Sequence, residues 1–155
     1  MAVNPIPEGY PRLSPYLAVD GATDAIAFYC DVLGFESRGG VMTGPDGRVG
    51  HAELALGSSV LMLSDEAPEA GALSPRSLGG SPVLLHLYVE DVDALFAKAV
   101  EAGATVEREP SDQFYGDRMA VIADPWGHRW SMSSHIEDVS MEEMERRATE
   151  AMSEG

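Results

Sequence analysis

The sequence predicts an α+β fold of two tandem βαβββ units, because one pattern of helix and strand signals occurs twice. Val19–Gly57 and Val89–Gly127 carry this pattern, with an offset of about 70 residues. In each copy an acidic residue follows the valine, and a glycine ends the helical segment, at Gly34 and at Gly103. A constant offset across a helix and several strands indicates duplication of one supersecondary unit. We therefore expect curved mixed sheets around a cup, with helices on the opposite side, followed by a C-terminal helix.

The first unit is predicted over residues 12–64. It begins with a strand at Leu13–Val19, and the next helix has Thr23 as its expected N-cap and Gly34 at its C-terminal end. Apolar residues at helical spacing give that helix one face for burial. Three further strands are expected, at Phe35–Met42, Val49–Leu56 and Val60–Ser64.

A linker follows at residues 65–81, where proline and glycine are frequent and no periodicity is present, so we predict a long surface connection. The second unit, at residues 82–135, repeats the order of the first, with Asp91 as the helix N-cap. Its strands are expected at Pro82–Glu90, Thr105–Arg108, Arg118–Asp124 and Arg129–Ser133. We treat residues 1–155 as a single domain.

Residues 136–155 are predicted to form a separate helix. Ser140 and Glu143 make a capping-box pattern, and an apolar stripe runs from Met141 to Met152. A helix this short is marginal alone, so we expect it to dock on the body of the protein or on a second subunit. The expected assembly is a homodimer.

The composition excludes several classes of partner. The net charge of −16 argues against nucleic acid and against an anionic membrane surface, because both require a basic patch. The single cysteine, Cys30, and the lack of a signal sequence predict a cytoplasmic protein. The acidic charge serves either solubility or the attraction of a cationic small molecule.

Strand parity places two polar pairs on the sheet faces that point away from the helices, because side chains alternate between the two faces of a strand. His51 and Glu53 form one pair in the third strand, and His86 and Tyr88 form the other in the fifth. His51 and Glu53 either bond to each other or face a ligand. His86 has apolar neighbours, so it is either a histidine bonded to a backbone carbonyl or a ligand-facing group.

Three more residues are candidates for ligand contact. Tyr115 and Arg118 lie around the start of the seventh strand, where Arg118 would either clamp an anionic group or pair with Asp117 or Glu107. Trp130, in the last strand, would either pack in the core or line the rim of the cup.

Short segments in both units carry a further signal, and their order and spacing repeat. They are Ala25–Tyr29, Val32–Phe35, His51–Leu54, Leu87–Val92, Gly103 with Ala104, Tyr115–Arg118 and Asp124–His128. Paired units with these segments resemble the vicinal oxygen chelate superfamily, which includes glyoxalase I, extradiol dioxygenases, fosfomycin-resistance enzymes and bleomycin-resistance proteins. His51–Leu54 and Tyr115–Arg118 look most like the PhnB-like branch. The resemblance covers about residues 12 to 135.

The resemblance implies metal ligands from the first, fourth, fifth and eighth strands, usually histidine and glutamate. At those places this chain offers Ser14, no imidazole or carboxylate in Val60–Ser64, then His86 and Ser131. One strong ligand is too few for a divalent ion, so no cofactor is expected in the usual position. A divalent metal would need a relocated site built from His51, Glu53 and His86.

Two functions from different classes follow from the resemblance. The first is a binding protein that sequesters a polar or cationic organic ligand in the cup, as the bleomycin-resistance members do. The alternative is an enzyme of the superfamily, a lyase, isomerase or transferase, in which His86 is the general base and Glu53 or Arg118 handles the other charge. Loss of the metal ligands favours the first function.

Overall fold

Each half of the chain forms one βαβββ unit, as the repeat predicts. The structure, a computed structural model, describes residues 2–155. The chain divides into two compact units, one ending at Ser81 and the other formed by Pro82–Gly155. Each unit contains one four-stranded sheet of mixed direction, and a further helix follows the second unit's last strand. The α+β fold class with a C-terminal helix is therefore confirmed.

In the first unit a parallel strand pair is extended by two antiparallel neighbours. Tyr16 of the first strand lies opposite Met62 of the fourth, and the third strand lies between the fourth and the second. The third strand has the predicted bounds, and the others shift by one to three residues. The elements are β1 Tyr16–Val19, α1 Ala22–Asp31, β2 Glu36–Thr43, β3 Val49–Leu56 and β4 Ser59–Asp65.

The core of this unit forms where α1 covers one face of the sheet. Val19, Tyr29 and Leu63 are fully buried there, and Leu54 is nearly so. Burying side chains of this size contributes about 1.5–3 kcal/mol each. This apolar layer fixes which face of the sheet remains open for other contacts.

The N-terminus of α1 is capped differently from the prediction. Thr23 lies within the helix, and the N-cap is Gly21, whose φ of 111° suits glycine. The acceptor comes from the end of β4, where Asp65 Oδ1 receives the N–H groups of Gly21 and Ala22 at 3.1 and 2.7 Å. Asp65 Oδ2 also accepts from the Val49 N–H at 2.8 Å, so one carboxylate joins a helix and two strands.

The linker contains two short helical segments instead of a plain surface loop. A 3₁₀-helix spans Pro68–Ala70, and α2 spans Pro75–Leu78. Ser74 caps α2 and is completely buried, and the Glu66 carboxylate accepts a hydrogen bond from its N–H at 2.7 Å. Local polar contacts therefore order a segment in which no periodicity was visible.

The second unit has the same topology, with the fifth and eighth strands parallel and the others antiparallel. Asp91 is its helix N-cap, as predicted, and accepts from the Ala94 N–H at 3.0 Å. Ser134 Oγ accepts from the Val92 N–H at 3.0 Å, in the place that Asp65 has in the first unit. The elements are β5 Leu84–Tyr88, α3 Val92–Glu101, β6 Thr105–Asp112, β7 Asp117–Ala123 and β8 Arg129–His135.

The C-terminal helix, α4, spans Met141–Ser153 and begins at the predicted N-cap, Ser140. Arg147 connects α4 to the preceding segment, because its guanidinium donates to the Glu137 carboxylate at 2.8 and 2.9 Å. The ends of the methionine stripe are open, with Met152 82% exposed. Among the described residues, no helix has both the length and the apolar character needed to span a membrane.

Candidate functional site

The polar pairs predicted from strand parity lie on the helix-free faces of the two sheets. In β3, Ala52 and Leu54 are buried against the helix side, while His51 and Glu53 lie on the other face. In β5, Leu87 is buried, whereas His86 and Tyr88 are exposed on the opposite face of their unit. The structure therefore places two polar clusters, one on each sheet.

The cluster of the first unit is a chain of hydrogen bonds centred on His51. The Nε2 atom of His51 lies 2.8 Å from Glu53 Oε2, and its Nδ1 atom lies 2.8 Å from the hydroxyl of Tyr16. With the proton on Nε2, the carboxylate accepts it and Nδ1 is free to accept the phenol proton. Of the two sequence alternatives for His51 and Glu53, the structure shows that they bond to each other.

Two further side chains surround Glu53 that strand parity did not identify. Tyr10 donates its hydroxyl to Glu53 Oε1 at 2.8 Å, and the guanidinium of Arg38 lies 4.0 Å from the centre of the Tyr10 ring. The hydrogen bonds from His51 and then from Tyr10 hold the pKa of the Glu53 carboxyl below its ordinary value, although burial opposes this. Glu53 therefore remains an anion that orients the imidazole.

The cluster of the second unit begins at His86. Its Nδ1 atom lies 3.0 Å from the hydroxyl of Ser131, the residue directly opposite it in β8. The His86 and Tyr88 rings meet edge to face, with their centres 4.8 Å apart. The partner of His86 is thus a side-chain hydroxyl, which differs from the backbone carbonyl considered in the sequence analysis.

Tyr88 leads from His86 to a buried carboxylate. Its hydroxyl donates to Asp117 Oδ2 at 2.9 Å, and Asp117 Oδ1 lies 2.8 Å from His135 Nδ1. Burial raises the pKa of the Asp117 carboxyl, but the hydrogen bonds from His135 and Tyr88 outweigh it, so the net shift is downward. Asp117 is only 4% exposed and keeps its negative charge within the sheet face.

One hydroxyl on this face has no partner. Ser133 lies opposite Tyr88 and Met119, between the neighbouring strands of β8. It is fully buried, and its Oγ is the one buried side-chain polar atom of the described residues that makes no hydrogen bond. Buried hydroxyls nearly always have a partner, so Ser133 leaves one polar position beneath this face unsatisfied by the described side chains.

The remaining predicted site residues are engaged within the second unit. Arg118 donates to Asp93 at 2.7 and 2.9 Å and to Asp112 at 3.0 Å, so it makes ion pairs, though not with the partners considered in the sequence analysis. Tyr115 lies 3.5 Å from the sulfur of Met119.

Trp130 lies in the core of the second unit. Its side chain is 1% exposed, and its indole N–H donates to Asp124 Oδ2 at 2.9 Å. Its neighbours in β8, Ser131 and Arg129, point to the helix-free face instead. Of the two sequence alternatives for Trp130, the structure therefore shows core packing, because its strand parity matches that of the buried Met132.

Comparison with known families identifies the fold family. The family model described as Glyoxalase/Bleomycin resistance protein/Dioxygenase superfamily matches residues 12–132. The chain belongs to this superfamily. An uncharacterised protein of Mycobacterium bovis is 45% identical over 138 residues, which are 87% of this chain and 90% of that protein. The match is to the superfamily as a whole, so the PhnB-like branch stays a prediction.

Two solved structures share the fold of this chain. Protein PA1353 of Pseudomonas aeruginosa superposes with a TM-score of 0.64 at 20% identity, over 82% of this chain and 99% of that one. TnmS3, an antibiotic binding protein from Streptomyces sp. CB03234, superposes with a TM-score of 0.57 at 25% identity, over 87% of this chain and 98% of that one.

The strand positions that hold metal in the superfamily's enzymes carry a donor set that does not fit a divalent ion. Ser14, the residue expected at the metal-ligand position of the first strand, lies outside β1, which begins at Tyr16. Tyr16 takes that position, and it lies opposite Met62 of β4. His86 and Ser131 form the corresponding pair in the second unit. At these positions the first unit offers a phenol and a thioether, and the second unit offers an imidazole and a hydroxyl, so His86 is the one strong ligand among them. Within residues 2–155, no three His, Cys, Asp or Glu side chains are grouped closely enough to hold an ion.

Proposed function

We propose that this chain is a small-molecule-binding member of its superfamily, which sequesters a polar or cationic organic ligand on the helix-free face of its second unit. The observation that carries the proposal is the buried carboxylate of Asp117, held as an anion at the hydroxyl end of the exposed Tyr88 side chain. No step of this function requires a bond to be made or broken, so it suits a site whose metal ligands are replaced.

The chemistry of the face favours a ligand that is flat and positively charged. Tyr88 is 64% exposed and presents its ring beside that of His86, so a flat ligand can stack there. The ring faces attract cations, and Asp117 adds a negative charge that water screens poorly and that is largest when its partner His135 is neutral. The overall charge of −16 concentrates cations near the protein at low ionic strength. TnmS3 shows that the superfamily's fold also serves an antibiotic binding protein.

Benzamidine and benzamide test this proposal directly, because the two molecules have nearly the same shape and differ by one positive charge. Calorimetric titration should show that benzamidine binds more tightly than benzamide. Added salt should weaken the binding of benzamidine and leave the binding of benzamide unchanged. Asp117→Asn should remove most of the preference, since the amide keeps the shape and loses the charge. Glu109→Gln, an exposed carboxylate of β6, is the matched control. Equal binding of the two probes would refute a cation site at Asp117.

An enzymatic function is the second candidate, and the hydrogen-bond chain of the first unit favours it. Glu53 orients His51, and His51 can take the proton of the Tyr16 hydroxyl, as a general base does. The sequence-based alternative joined His86 to Glu53 or Arg118. In the structure Glu53 is bonded to His51 instead, and Arg118 forms an ion pair with Asp93. We therefore place the candidate base at His51.

Exchange of a carbon-bound proton separates the two functions. An enzyme that removes a proton next to a carbonyl should speed the exchange of the α-protons of dihydroxyacetone in D₂O. The exchange is measured as the loss of the α-proton signal in the NMR spectrum. His51→Gln should abolish that acceleration, and Tyr16→Phe should reduce it. A rate equal to that of buffer would support the binding function instead.

A further inference from the structure

A shallow depression with a different charge from the rest of the protein lies on the same face of the second unit. Its volume is about 260 Å³, and Arg108, Arg129, Met119 and Ser131 line it. The depression adjoins the cluster described above, because the hydroxyl of Ser131 also bonds His86. Two guanidinium groups at one depression are notable in a chain with 26 acidic and 10 basic residues.

Arg108 is the free cation of this depression. It makes no ion pair and no side-chain hydrogen bond within residues 2–155, and its charge acts on the phenol of Tyr115. Burial and the charge of Asp117 raise the pKa of Tyr115, and the positive charge of Arg108 opposes them. Other arginines of the second unit, such as Arg118 and Arg147, are bonded to carboxylates. A guanidinium without a carboxylate is available to a ligand.

Arg129, the other arginine of the depression, is already paired with the carboxylate of Glu107. Its Nε donates to both oxygens of the Glu107 carboxylate at 3.0 Å, so the pair is nearly neutral. The net charge that the depression offers to a ligand is therefore the one positive charge of Arg108, and Ser131 lines the same depression. The more distant acidic residues repel an anion only weakly at ordinary salt, since the Debye length is about 10 Å at 0.1 M.

The helix-free face thus has opposite charges at its two ends. Arg108 lies opposite Val121, and the buried Asp117 begins β7 four residues earlier. At a rise of about 3.4 Å per residue, the four-residue separation is about 13–14 Å. Between the ends lie the hydroxyls of Ser131 and of the unpartnered Ser133.

We infer that this depression is an oxyanion subsite, in which Arg108 and Ser131 receive a carboxylate group of the bound molecule. The inference rests on the proposed function and makes it more specific: the ligand is an amphoteric organic molecule, with an anionic group toward Arg108 and a polar or cationic group toward Asp117. A bidentate guanidinium–carboxylate contact gives such a ligand one orientation along the strands.

Benzoate and benzamide test the subsite, because they differ in the negative charge and hardly in shape. In a ¹H–¹⁵N NMR titration, benzoate should shift resonances of Arg108, Ser131 and Met119, and benzamide should shift them less. Arg108→Gln should weaken benzoate binding about tenfold, the usual loss for a charge-assisted hydrogen bond. Arg108→Lys should retain part of the affinity. Arg76→Gln, an exposed arginine of the first unit, is the control of equal charge change.

Glu107→Gln gives a prediction of opposite sign. It releases Arg129 from its carboxylate partner, so benzoate should bind severalfold more tightly than to the unaltered protein. The inference is overturned if benzoate fails to bind up to its solubility, if Arg108→Gln leaves its affinity unchanged in a protein with a native spectrum, or if benzamide binds equally well. If benzamidine still binds in that case, only the subsite is refuted and the proposed function stands. If neither benzoate nor benzamidine binds, the proposed function is refuted as well.

Discussion

Asp65 provides a quantitative test of how the first unit is held together. Its carboxylate accepts three backbone N–H groups, from Gly21, Ala22 and Val49. Ala22 and Val49 are buried at 0% and 3% exposure, so water cannot replace the lost acceptor in Asp65→Ala. A buried donor left without a partner costs about 1–3 kcal/mol, so the two together give a loss of about 2–6 kcal/mol in the free energy of unfolding.

Urea denaturation measures this loss, and the slope of the free energy against urea should be unchanged. Ser134→Ala is the matched variant in the second unit, because Ser134 accepts from Val92 at the equivalent helix terminus. It leaves one buried N–H without its acceptor and also removes the hydrogen bond that the hydroxyl donates to the Val89 carbonyl at 2.8 Å, so the expected loss is about 1–3 kcal/mol. A loss below about 1 kcal/mol for Asp65→Ala would refute the argument that this carboxylate joins the helix to the strands.

Three further predictions concern other parts of the chain. The hydrogen bonds to Asp138 and then to Asp117 raise the pKa of His135 above 6.5. The stabilisation from protonated His135 should therefore be complete below its pKa in the unfolded chain and be lost as pH rises through its pKa in the folded protein. An NMR titration of His135 that gives a pKa at or below 6.5 would contradict this. Gly116→Ala should prevent normal folding, because a Cβ there would lie 2.1 Å from the Glu137 carbonyl oxygen, and circular dichroism with a native melting temperature would oppose this. Light scattering at tens of micromolar should give a dimer, since the α4 methionines need a covering surface, and a mass of 16.5 kDa would count against it.

The sequence predicted those features that depend on local periodicity. The duplicated pattern identified both units, and strand alternation placed His51 with Glu53, and His86 with Tyr88, on the faces away from the helices. The bounds of β3 were predicted without error because a glycine-proline turn and a glycine delimit it. Period-two alternation is a strong signal where one face of a strand is buried.

The sequence did not predict contacts that depend on register or on the approach of distant segments. Tyr10 reaches Glu53 across 43 positions of the chain, and no periodicity encodes such a contact. His135 was missed because strand eight was ended at Ser133, although the alternation of polar residues continues to position 135. The cap of α1 was missed because its acceptor, Asp65, lies in another strand, and local cap signals favour a nearby hydroxyl such as Thr23.

The most direct test of the central claim is a chemical-shift map of ¹⁵N-labelled protein titrated with benzamidine. A binding site on the helix-free face of the second unit predicts shifts concentrated at Tyr88, Asp117 and Ser133, with little change in α3. It also predicts that Asp117→Asn weakens these shifts at equal ligand concentration. Shifts spread over the helices, or an unchanged spectrum up to the solubility of benzamidine, would contradict the claim.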